Sequence, residues 1–96
     1  IKFQEGMVLS NEPGYYEKNK FGIRIENLIY VKSRKNNKYF ENLTMVPIEK
    51  ELIDKSLLNE NEMIWLNNYH KKVFNYLKDF MNRKEKIELK KACSVI

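Results

Sequence analysis

Apolar and polar residues alternate in the first half of the chain with the period of a strand, and recur in the second half with the period of a helix. Met7-Val8-Leu9-Ser10 is a short apolar run that predicts a strand, punctuated by Pro13-Gly14. Tyr15 to Phe21 is polar and charged and predicts a hairpin connection. Gly22 to Lys32 predicts the clearest strand, with Ile23, Ile25, Asn27, Ile29 and Val31 on one face and Arg24, Glu26, Leu28 and Tyr30 on the other. Ser33 to Lys38 predicts a solvated loop, and Tyr39 to Val46 a third strand ended by Pro47. The period then changes. Asn59 followed by Glu62 is a helix-start signature, and Met63, Leu66, Val73, Leu77 and Phe80 recur at spacings of three, four and seven. Trp65, Tyr69, Phe74 and Tyr76 widen that stripe. The pattern predicts a helix over Glu60 to Met81 and a second, charged helix over Arg83 to Lys91. Strands followed by helices make the class α+β.

Composition narrows the partners. The net charge is +5, but 15 of the 18 basic residues are Lys and they are interspersed with acids. Arg is the residue that reads bases and grips phosphate with two parallel bonds, so the charge predicts no nucleic-acid partner. The single cysteine, Cys93, excludes an intrachain disulfide and predicts an intracellular protein. No apolar run approaches the ~20 residues that a membrane-spanning helix needs. The chain does not begin with Met, which predicts a piece of a longer protein.

The candidate chemistry lies in two glutamates, Glu12 in Asn11-Glu12-Pro13-Gly14 and Glu26 in Gly22-Ile23-Arg24-Ile25-Glu26-Asn27. If their strands pair as a hairpin, both carboxylates point into one site. Such a pair stays ionised only beside a cation, either a metal ion or an arginine, and Arg24 is two residues from Glu26. On the residues alone, Glu12 is also an ordinary residue before a turn, and Arg24 with Glu26 an ordinary ion pair.

Gly6-Met7-Val8-Leu9-Ser10-Asn11-Glu12-Pro13-Gly14-Tyr15-Tyr16, with Phe21 to Asn27, closely resembles the end of the catalytic domain of the aminopeptidase P family. These are the Xaa-Pro aminopeptidases of pita-bread fold. The resemblance continues through Glu41 to Ile48, Leu52-Ile53-Asp54 and Trp65 to His70, which look like the C-terminal extension of the large, three-domain cytosolic form. It covers about residues 6 to 78. It implies residues 1–48 as the end of the catalytic domain and 49–96 as a helical extension.

The resemblance also implies a reaction: release of the N-terminal residue from peptides with proline second, by two divalent metals. The family binds them with two aspartates, a histidine and two glutamates. Glu12 matches a ligand that also serves as general base and acid, and Glu26 the ligand that bridges both metals. Arg24 matches a residue that orients the cluster. Carboxylates suit hard cations, so manganese is expected first, with zinc or cobalt as alternatives. Metals ~3.5–4 Å apart activate a water and polarise the scissile carbonyl. The aspartates and the histidine have no counterpart here, so the 96-residue chain alone is expected to be inactive. His70 matches a non-ligand position and is expected to be a surface or packing residue.

The parent is expected to be a cytoplasmic homodimer acting on peptides, without membrane attachment. Cys93-Ser94-Val95-Ile96 has the outline of a prenylation box, yet Ser94 is not aliphatic and Ile96 is not a usual last residue. A reading from another class is a non-catalytic pita-bread binding module for peptide, protein or nucleic acid. Such members typically lack the ligand glutamates, and this chain has both.

Overall fold

The computed structural model describes residues 1–96 and divides into two compact units, Ile1–Thr44 and Met45–Ile96. Unit 1 holds five antiparallel strands: β1 Val8–Asn11, β2 Gly14–Glu17, β3 Phe21–Arg24, β4 Asn27–Arg34 and β5 Asn37–Asn42. They form a three-stranded sheet in the order β1-β4-β5 and a two-stranded ribbon of β2 with β3.

The expected strand over Gly22–Lys32 is broken into β3 and β4. The cause lies across the ladder, at Pro13. The Ile25 N–H donates to the Pro13 carbonyl at 3.1 Å, but proline has no N–H to return the bond. Tyr15–Phe21, expected as a connection, contains most of β2. The true turn is tighter, closed by Lys20 N–H to Glu17 carbonyl at 3.0 Å, with Asn19 in the left-handed region at φ 61°.

The expected loop over Ser33–Lys38 shrinks to two residues. Arg34 pairs with Asn37, and Lys35 and Asn36 both take positive φ (48° and 68°), the two-residue turn that matches strand twist. The third strand stops at Asn42, earlier than expected. Leu43 and Thr44 still bond to Leu28, whose own N–H donates to Thr44 Oγ1 at 2.7 Å.

Unit 2 begins as an extended strap with two single 3₁₀ turns, Lys50–Leu52 and Lys55–Leu57. Helix α1 spans Glu60–Leu77 and α2 spans Arg83–Ala92. The expected capping box is present. Glu62 N–H donates to Asn59 Oδ1 at 2.8 Å, and Asn59 N–H to Glu62 Oε1 at 3.0 Å. Asn82 and Glu85 repeat the device at 2.9 and 3.0 Å. That second box explains why α1 ends before Met81. An N-cap needs extended backbone, so the chain tightens through Lys78–Phe80 and straightens at Met81 (ψ 145°) and Asn82 (ψ 176°).

Leu66, Tyr69, His70 and Val73 recur at helical spacing on one face of α1 and, with Leu89 of α2, form the buried core of this unit. Phe80, expected on the stripe, is 78% exposed. No helix is long and apolar enough to cross a membrane.

Candidate metal-ligand pair

Register places the two glutamates. Asn11 opposes Asn27 in one ladder and Gly14 opposes Arg24 in the next. The same register, carried across the break, sets Pro13 opposite Ile25 and Glu12 opposite Glu26. Pro13–Ile25 is a hydrogen-bonded position, so Glu12–Glu26 is the adjacent non-bonded one. There opposed Cα atoms approach to about 4.5 Å and side chains lie closest. Directly opposed residues share a face, so the hairpin brings both carboxylates to the same side, as the sequence predicts.

Arg24 is two residues along the strand and points to that side. Its Nη2 lies 3.5 Å from Glu26 Oε2, with both side chains about half exposed. The charge interaction with Tyr16, and then the hydrogen bond between them, raise the guanidinium pKa above its ordinary value, and Glu26 and then Glu12 raise it further. The carboxylates thus face a fixed positive charge.

Tyr16 is the neighbour that the sequence pattern does not single out. Its signal is a pair of glycines. Tyr16 opposes Gly22 across the ribbon, and a Cβ there would lie 2.6 Å from the Tyr16 ring. A Cβ on Gly14 would lie 2.7 Å from the Tyr16 hydroxyl. Both glycines therefore clear a bed on which the ring lies flat, with its hydroxyl reaching Arg24.

The donor set fits a hard divalent cation in part. Glu12 and Glu26 supply carboxylate oxygens from one face, the chemistry that suits such ions. A complete cage needs more. No group of three or more His, Cys, Asp or Glu side chains in this chain is placed to hold a metal. His70 is a packing residue in unit 2, fully buried, accepting the Ile48 N–H on Nε2 at 3.0 Å. Cys93 is half-buried and its thiol is pushed up by that burial, while the flanking chain is tied down by the Ile96 N–H to Asn67 Oδ1 bond at 3.0 Å.

Residues 1–33 match the model of metallopeptidase family M24, and residues 38–96 match that of the C-terminal region of peptidase M24. Aminopeptidase P2 of Arabidopsis thaliana is 48% identical over 79 residues, covering 74% of this chain and 11% of that protein. A probable Xaa-Pro aminopeptidase P of Sclerotinia sclerotiorum is 47% identical over 93 residues, covering 88% of this chain and 16% of that protein. The chain therefore spans only 11% to 16% of the length of these relatives.

Among solved structures, the X-prolyl aminopeptidase of Caenorhabditis elegans matches with a TM-score of 0.83 at 38% identity, over 98% of this chain and 17% of that one. It is described as a cytosolic enzyme with a di-nuclear active site. The α+β class and the pita-bread expectation hold, and this chain belongs to metallopeptidase family M24, as a partial length that includes its C-terminal region.

Proposed function

We propose that this chain is the C-terminal piece of a metallo-aminopeptidase that removes the N-terminal residue from peptides with proline second. The observation that carries the reading is the register that sets Glu12 opposite Glu26 with Arg24 on the same side. Family membership and the Xaa-Pro aminopeptidases among its relatives support it. Residues 1–48 would finish the catalytic domain and 49–96 would form its helical extension.

In this reading Glu12 and Glu26 are two members of a ligand set completed by residues outside this chain. Glu12 and Glu26 would each supply carboxylate oxygens to two divalent ions. When bound, such a pair supplies Lewis-acid polarisation and a water of lowered pKa. Manganese suits the carboxylate donors, with zinc and cobalt as alternatives. Glu12 takes the proton of the attacking water on a carboxylate oxygen and returns it to the departing proline nitrogen. Arg24, held by Tyr16, fixes the Glu26 carboxylate. Its charge also offsets the repulsion between the two glutamates. The working form is proposed to be a cytoplasmic homodimer, in keeping with the cytosolic C. elegans neighbour.

The test is hydrolysis of an Xaa-Pro peptide by the intact protein with added Mn²⁺. Activity lost in Glu12→Gln, and absent from residues 1–96 alone, is the expected result. Cleavage by the 96-residue chain, or full activity in Glu12→Gln, would overturn the reading.

A further inference from the structure

Val46, Ile48 and Lys50 alternate along the strap, and each is bonded to the helical layer of unit 2. The Tyr69 hydroxyl donates to the Val46 carbonyl at 2.6 Å. The Ile48 N–H donates to His70 Nε2 at 3.0 Å. The Lys50 ammonium donates to the carbonyls of Lys91 (2.8 Å) and Ser94 (3.0 Å), a cation at the carbonyl end of α2. One extended segment therefore ties the middle of α1 to the end of α2.

The middle tie differs from the other two in kind. It exists only while Nε2 keeps its lone pair. A protonated imidazole has a donor on each nitrogen and no acceptor. His70 is fully buried, and its Nδ1 is enclosed without a partner. We propose that the Val46–Lys50 strap is an acid-sensitive latch, in which proton uptake by His70 breaks the Ile48 tie and frees the strap from α1.

Burial and the nearest charge both oppose the imidazolium. Burial first, and then the ammonium of Lys50 on the strap, hold its pKa below the ordinary range. The Ile48 N–H aims the positive end of its dipole at the ring. Tyr69, on the same helix, offers a neutral ring 5.7 Å away, and its hydroxyl is committed to Val46. The end of α2 places the Cys93 thiol near the same ammonium, and burial keeps that thiol neutral.

The sign follows from linkage. Above the ordinary imidazole value of about 6.5 neither state binds the proton, and the latch has its full strength. Below it the open state binds a proton that the closed state refuses, so opening rises by up to about tenfold per pH unit until the closed state also protonates. The strap follows directly on Thr44, the last residue of unit 1.

Hydrogen–deuterium exchange of the intact protein, from about pH 7.5 to about pH 5.5, tests this around the imidazole range. After correction for intrinsic rates, protection of peptides covering Met45–Lys50 is expected to fall by up to about tenfold per unit below pH 6.5. In His70→Gln, whose amide oxygen accepts the Ile48 N–H at every pH, protection is expected to stay flat. A flat wild-type profile, or the same decline in His70→Gln, would overturn the proposal. Where the glutamine variant packs poorly, NMR of the wild type decides. The His70 ring should titrate only together with loss of Ile48 amide protection. Ring titration at the ordinary value with that amide still protected contradicts the latch.

Discussion

The two units bury their apolar residues very differently. In unit 1 Val31 alone is fully buried, while Tyr15, Phe21, Ile23, Ile25, Leu28 and Phe40 are exposed. Unit 2 encloses Leu66, Tyr69, His70, Val73 and Leu89 around its own capped helices. Unit 1 is thus a set of strands that leaves most of its large apolar side chains exposed. Contiguous exposed apolar patches mark surfaces that meet another part of a protein. The candidate glutamates sit in the unit with little buried core, and the helical unit encloses more of one.

The largest expected effect that sharpens this contrast is chemical. Glu12→Gln in the intact protein should lower kcat by about 10²–10⁴-fold, the span of general acid–base catalysis, with thermal stability unchanged. Steady-state kinetics beside a melting curve checks both halves. Arg24→Lys comes next, with a loss of about 10–100-fold, because a point charge does not reproduce the planar fork beside Glu26. Wild-type activity in that variant would reduce Arg24 to a surface ion pair.

The units are then set against each other by stability. Leu66→Ala should cost about 2–5 kcal/mol in denaturant unfolding of the intact protein, with kcat per folded molecule unchanged. Ile23→Ala should cost a similar amount there where another part of the intact protein covers that residue. A loss within about 0.5 kcal/mol, the surface value, would mean the face stays bare and would break the comparison. The smallest effect is Asn82→Ala, which removes a helix cap and should cost about 1 kcal/mol, read in the same titration.

What was legible in the sequence follows from which signals are local. The Asn59–Glu62 box, the helical stripe from Met63 to Leu77 and the shared side of Arg24 and Glu26 depend on residues a few positions apart, and all three appear in the fold. The break at Ile25–Glu26 was not legible, because its cause is a missing N–H on Pro13, across the ladder. The turn at Lys35–Asn36 was hidden because its first left-handed position carries Lys where Asn or Gly is usual. The Asn82–Glu85 box is local too, and it sits at the expected gap between the two helices. Tyr16 and the strap rest on pairings 6 to 44 residues apart, Tyr16 with Gly22 and Lys50 with Ser94, which no local period encodes. The glutamate motifs were legible by family resemblance, and the register sets the two residues opposite each other.

The pairing of Glu12 with Glu26 as metal ligands is tested most directly by metal content. Inductively coupled plasma mass spectrometry on the purified intact protein should find two divalent ions per wild-type chain, as in a di-nuclear site. Glu26→Gln should hold at most one, with Xaa-Pro hydrolysis lost in parallel. A Glu26→Gln protein that keeps both ions and its activity would contradict the account.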